Sequence, residues 1–169
     1  METHPLVEQL HFARSEFMRG LRGVPEADGF RRFEPLNSIG WIVAHMAWHE
    51  QRTWLTRLAG VTPEPILNEV AANGGPATTP SLEAMLKAWA HVTSDADGHL
   101  VALDESAMHG ELPGPSSRLV GNSILRVIYH YWFHTGEIVA IRQLLNHPDR
   151  PEFVGDIDAQ APYRPAVVR

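Results

Sequence analysis

Four stretches of helical hydrophobic periodicity, separated by segments crowded with proline and glycine, confine this chain to a bundle of helices. The first, about residues 5–22, sets Leu6, Leu10, Phe17 and Leu21 on one side, with Pro5 tolerated in a first turn. Gly20, Gly23 and Pro25 punctuate its end. The second, about residues 37–59, starts at the capping residues Asn37 and Ser38 and stops at Gly60. The third, about residues 80–103, opens on Thr79-Pro80-Ser81 and repeats Leu82, Met85, Leu86, Trp89, Val92, Ala96 and Leu100. The fourth, about residues 118–145, is the longest at roughly 40 Å, from 1.5 Å per residue.

No segment alternates strictly enough for an exposed strand, and there is no internal repeat. The expectation is one all-α domain, residues 1–169, built as a four-helix bundle. Between Gly60 and Pro80 lie Pro63, Pro65, Gly74, Gly75 and Pro76. That link is too long for a tight antiparallel turn and predicts a long crossover between the second and third helices. The segment from Asn146 to Arg169 carries four prolines and is expected to form an extended tail.

Composition narrows the function classes. The 169 residues suit one domain with its own core, and 44% hydrophobic with 20% charged residues is ordinary for a globular chain. A net charge of −6 without a basic face argues against a nucleic-acid partner. No apolar run reaches the ~18 residues of a membrane span, and the start carries Glu2, Glu8 and two histidines, unlike a signal peptide. The chain has no cysteine, which fits a cytoplasmic setting and rules out a thiolate ligand or nucleophile of its own. Any thiol chemistry must use a thiol brought by a cosubstrate.

The chemistry rests on the histidines. In the fourth segment His130 and His134 are four apart, hence on one helix face. Val120, Val127, Tyr131, Ile138 and Leu145 define the stripe expected to be buried; His134 falls inside it and His130 on its shoulder. A core-facing imidazole needs partners, because an unpaired buried polar group costs roughly 1–3 kcal/mol. A metal ion satisfies two such rings at once. The second segment offers His45 and His49, again four apart, with Trp41 and Trp48 on one side of His45 and Ile42 and Met46 on the other.

Two helices presenting imidazoles to one core can meet in a tri-histidine site with positions left open for water or substrate. A single HxxxH pair is more often a surface pair. Two on inward faces shift the balance toward a metal. Periodicity does not choose between His45 and His49, which project about 40° apart. Related motifs are excluded: Thr53 stands where HExxH needs its second histidine, and Ile42, Met46, Val127 and Tyr131 occupy the carboxylate positions of a di-iron bundle. Walker, G-x-S-x-G and G-x-G-x-x-G loops are absent.

The run Asn37-Ser38-Ile39-Gly40-Trp41-Ile42-Val43-Ala44-His45, followed by Glu50, resembles the second helix of the DinB-like superfamily. His130-Tyr131-Trp132-Phe133-His134-Thr135-Gly136-Glu137 is similar to that family's HxxxHxG(Q/E) signature on its last helix. The order of four helices with a long link after the second also matches, over about residues 5–145. The resemblance implies an up-down-down-up bundle, often dimeric, in which His45, His130 and His134 bind nickel or zinc, or iron. It implies too, as in several relatives, a transferase or isomerase using a low-molecular-weight thiol such as mycothiol or bacillithiol. The iron-dependent sulfoxide synthases that share the histidines need a second catalytic domain, for which 169 residues leave no room.

Two positions depart from the pattern. His49 is an extra histidine, a possible fourth ligand. The usual glutamine after the signature glycine is Glu137. Gly136 is read as a close-packing position and Glu137 as structural, with orientation of a ligand imidazole as the other role.

The leading expectation is therefore a metal-dependent enzyme of thiol-transferase type acting on a small-molecule substrate. A hydrolase using the same parts and a non-enzymatic metal or small-ligand binding protein are the alternatives. Arg52, seven residues after His45, could hold a carboxylate, although a solvated surface arginine is the commoner case. Tyr131 and Trp48 read as core.

Overall fold

Each long helix begins where the sequence supplies a cap or a proline. The computed structural model describes residues 3–114, 118–152 and 154–164. Helix α1 (Pro5–Leu21) has Pro5 in its first turn, and the His4 ring accepts from the Leu6 N–H. A short α2 (Glu26–Gly29) follows. Ser38 caps α3 (Ile39–Glu50) by accepting the Trp41 N–H at 3.2 Å, and α3 runs directly into a π-helical turn, Gln51–Thr56.

The link beyond holds a short α4 (Leu67–Val70), and Ser81 caps α5 (Leu82–Leu100). A short α6 (Glu105–Met108) leads to β1 (Glu111–Leu112), which pairs antiparallel with β2 (Arg118–Leu119). Helix α7 (Val120–Leu144) is the longest, and α8 (Ile157–Gln160) closes the described chain.

The fold is thus mostly helical, with one departure from an all-α chain: residues 118 and 119, expected in the last helix, pair with residues 111 and 112 instead. The second helix ends in its π turn at Thr56 rather than near residue 59, and the third covers 82–100 rather than 80–103. Nor is the C-terminal segment simply extended. It lies against α1, where Gln9 donates to the Ala161 carbonyl at 2.8 Å and Glu16 accepts the Gly155 N–H at 2.9 Å. Residues 153 and 165–169 of that segment lie outside the described residues. Among the described residues, no helix is long and apolar enough to cross a membrane.

Side-chain contacts fix the helix directions. Leu6 stands beside Gly121 at one end and Arg142 donates to the Gly20 carbonyl at the other, so α1 and α7 run parallel. Helices α3 and α5 start side by side, where a Cβ on Gly40 would collide with the Pro80 carbonyl. Phe17 meets Trp89 and His11 meets Asp97, so α1 runs against α5.

One buried polar network joins all four. The Glu50 carboxylate, fully buried on α3, accepts Arg14 Nε at 2.7 Å, Arg14 Nη2 at 2.8 Å and the Tyr131 hydroxyl at 2.8 Å. Arg14 also donates to Asp97 on α5 at 2.6 Å, and the Trp89 indole donates to the Tyr131 oxygen at 2.8 Å. Around it pack Leu10, Phe17, Ile42, Met46, Val92, Val127 and Ile138.

Removing one member of a buried ion pair leaves the other charge stranded, at a cost of about 3–5 kcal/mol. Glu50→Ala is expected to lower unfolding free energy by about that amount in chemical denaturation, whereas the apolar pair Arg14→Met with Glu50→Leu recovers most of it. A loss under about 1 kcal/mol for Glu50→Ala would mean the pair behaves like a surface contact.

Candidate metal centre

Trp41, His45 and Trp48 fall at i, i+4 and i+7 on α3, and all three are buried. The His45 ring is stacked between the two indoles, at 4.6 Å and 10° from Trp41 and at 5.4 Å and 22° from Trp48. Its Nδ1–H donates to the Ala71 carbonyl at 2.8 Å, which fixes the tautomer and leaves Nε2 with its lone pair. Ala71 follows α4 directly, and Asn68 within α4 accepts the Trp48 indole N–H at 3.0 Å. The crossover therefore sets both the rotation and the protonation of His45.

Helix α7 supplies the opposite wall. His134 is buried, and its Nδ1–H donates to Glu137 at 2.8 Å, so its Nε2 points away from the carboxylate with a free lone pair. That Nε2 lies 3.0 Å from His130 Nε2, and His130 Nδ1 lies 2.7 Å from His49 Nδ1. One nitrogen from each of His45, His130 and His134 falls within 4.8 Å of the other two.

These donors fit a divalent ion. Metal–nitrogen bonds of 2.0–2.1 Å in a tetrahedron separate the nitrogens by about 3.3 Å, close to the His130–His134 spacing. The carboxylate behind His134 and the carbonyl behind His45 are the outer partners that ligand histidines use. The His134 Nε2 lone pair is satisfied either by a proton on His130 Nε2 or by a cation between the rings.

Burial, first of all, favours the neutral form of His45, His49 and His130. It lowers the His45 pKa, against the opposing hydrogen bond to Ala71. It pushes His49 down to about 4, Glu50 opposing and His45, Arg52 and Arg126 assisting. His130 falls to about 2, burial again leading, followed by its three histidine neighbours and Arg126. Neutral imidazoles are the form a metal binds.

Beside the rings opens a cavity of about 920 Å³, walled by Trp48, His49, Arg52 and Asn73 on one side and by Arg118, Asn122, Leu125, Arg126 and Tyr129 on the other. His45 and His130 are exposed to it.

Of the residues singled out in the sequence, His45, His130 and His134 come together. His49 does not join that trio; it bonds His130 from outside. Arg52 is exposed but lies over the Trp48 ring at 5.2 Å, in the cavity wall. Tyr131 is core, as expected, while Trp48 is both core and wall.

One reading needs correcting. Gly136 is exposed and a Cβ there would touch nothing within 4 Å, so it is no close-packing position within the chain. Glu137 hydrogen-bonds the His134 ring at 2.8 Å, the contact that orienting this imidazole requires. Sequence reasoning also missed Asn68, Ala71, Arg118 and Arg126. Arg126 was within reach, since it precedes His130 by four residues on the same face. The first two carry no signal, because one acts through its main chain and both sit in a proline-rich link.

The family model described as DinB superfamily matches residues 9–138, which include every residue of this centre. No curated protein matches the chain.

Because His49 and His130 titrate lower in the fold than in the unfolded chain, the unfolded state binds protons first as the pH drops. The metal-free protein should hold its full stability above about pH 6.5 and lose it progressively toward pH 4, where His49 begins to protonate, with His130 continuing below. Each imidazole contributes at most about 1.4 kcal/mol per pH unit. Denaturation curves of the metal-free protein between pH 7 and pH 4 check this, and His49→Asn should flatten the slope; an unchanged slope would show that His49 takes up its proton equally readily in the folded and unfolded states.

Proposed function

The chain belongs to the DinB superfamily, and on that premise we propose that it is a metal-dependent enzyme whose His45, His130 and His134 hold one divalent ion, nickel or zinc in preference to iron. The observation that carries this reading is the meeting of three imidazole nitrogens within 4.8 Å, two of them with their outer nitrogens already donating to fixed oxygen acceptors. The up-down-down-up order of the bundle is part of the proposal, and the parallel α1–α7 pair with α1 opposed to α5 supports it. A cytoplasmic setting is proposed from the absence of cysteine.

When bound, such an ion supplies Lewis acidity and an open position where a low-molecular-weight thiol ionises near neutral pH. The protein's own residues prepare that position. Glu137 raises the basicity of His134, the two indoles prevent His45 from turning, and His49 takes the proton of His130 Nδ1 as a hydrogen bond once His130 Nε2 is given over. The cavity admits a small-molecule substrate beside His45 and His130. A thiol transferase or isomerase is the reaction type proposed.

The cobalt-substituted protein tests metal and thiol together. His45→Ala, His130→Ala and His134→Ala should each lose most of the bound ion, while His49→Ala keeps it. Adding thiol should produce a sulfur-to-cobalt charge-transfer band. Metal retained by both α7 variants would sink the site. Metal bound without a band from mycothiol, bacillithiol, glutathione or coenzyme A would leave the hydrolase and binding-protein readings.

We further propose a homodimer. Tyr129, Phe133, Gly136, Ala140 and Leu144 form one exposed, largely apolar line along α7, with Phe133 72% exposed and small residues at its centre. A second copy of α7 could approach closely over Gly136 and Ala140. Sedimentation velocity should give a dimer at micromolar concentration and a monomer for Phe133→Glu; a wild-type monomer would overturn this.

A further inference from the structure

The charge of the cavity next to the three imidazoles is not that of the chain. The protein carries 20 acidic against 14 basic residues, yet among the described residues neither the 920 Å³ cavity nor the smaller one of about 80 Å³ beside it has an aspartate or glutamate in its wall. Arg52, Arg118 and Arg126 line both. They come from three different elements, the π turn after α3, strand β2 and the second turn of α7, so no single helix face accounts for their meeting.

Several other arginines are matched with acceptors, Arg14 with Glu50 and Asp97, Arg19 with Glu16 and Arg32 with Glu34, whereas Arg22 at the end of α1 is simply exposed to solvent. Among the described residues, Arg52, Arg118 and Arg126 take part in no ion pair. The contact recorded for Arg52 is the Trp48 ring beneath it at 5.2 Å, which holds the guanidinium in the wall without neutralising it.

Three guanidinium groups that repel one another and lack an internal anion make a poor structural cluster and a good recognition site. Guanidinium forks suit carboxylate and phosphate oxygens, and a cavity wall of one sign focuses the field on a bound ligand. The cavity volume lies in the range for a small molecule rather than a polymer.

We infer that Arg52, Arg118 and Arg126 form an anion-binding subsite beside the three-histidine centre, and that the reactant this protein takes is a small molecule bearing at least two negative charges, a dicarboxylate or a phosphate monoester. Its anionic end lies on the arginines and its reacting end faces His45 and His130. The inference rests on the proposed metal enzyme for the meaning of that second end, while the arginine subsite itself can be tested apart from it.

The probes are succinate and inorganic phosphate, with neutral succinamide as control, titrated by calorimetry into the zinc-loaded and the metal-free protein. Succinate or phosphate should bind, succinamide should not, and the stronger of the two anions identifies the ligand group. Arg118→Gln and Arg126→Gln should each weaken binding about tenfold or more and leave zinc content unchanged. Lys87→Gln, a remote exposed cation, should change nothing. Anion binding that survives in a His130→Ala variant unable to hold zinc would keep the subsite even if the metal reading fails. Failure of both anions to bind, or binding indifferent to both arginine substitutions, would overturn the subsite whether or not zinc is held.

Discussion

A carboxylate with no exposure to solvent organises this bundle. Glu50 sits at the end of α3, where Arg14 from α1 and the Tyr131 hydroxyl from α7 satisfy its oxygens, and through Arg14 the same network reaches Asp97 on α5. A buried ion pair tolerates little displacement, since each ångström of separation exposes an uncompensated charge to an apolar interior. The four long helices are thereby held at fixed rotations. Tyr131 follows His130 directly and precedes His134 by three residues, so the rotation that brings its hydroxyl to Glu50 also turns both imidazoles toward α3. Glu50 follows His49 directly and His45 by five. The three-histidine cluster and the ion pair are neighbouring layers of the same contact.

The layers differ in what they ask of the chain. The lower one is apolar and aromatic around a single satisfied charge network. The upper one is a set of imidazole rings facing one another, widening into an arginine-lined cavity in a chain of net negative charge. The π turn at Gln51–Thr56 follows Glu50 directly, and such turns often occur at functional sites. There it carries Arg52 into the cavity wall and keeps Trp54 and Leu55 in the core.

Much of this was legible in the sequence wherever one residue type has one physical use. The periodicity of Leu82, Met85, Val92 and Leu100 and the caps at Ser38 and Ser81 located the long helices to within a few residues. The spacing of His130 and His134 placed them on one face. What was not legible depends on partners far apart in the chain. Helical projection left His45 and His49 equivalent; in the fold it is His45 that meets His130 and His134, with its Nδ1 held by the main-chain carbonyl of Ala71. Glu137 read first as structural because helical spacing alone does not show that its carboxylate reaches the His134 ring three residues earlier. Gly136 looked like a packing residue because glycines in helices usually are; here it faces outward. The short strand pair at residues 111–112 and 118–119 is too brief to leave an alternating pattern.

The bond from His45 to the Ala71 carbonyl has an evolutionary and engineering corollary. A main-chain acceptor is indifferent to which side chain is attached to it, so amino-acid replacement at residue 71 leaves the tautomer of His45 as it is, provided the small buried volume is respected. Insertion or deletion is another matter. Adding or removing one residue between Gly60 and Ala71 would slide a different carbonyl past the imidazole and release its Nδ1 proton. The proline-rich crossover, which reads as the most permissive stretch of the chain, is thus free in spelling at residue 71 yet strict in length.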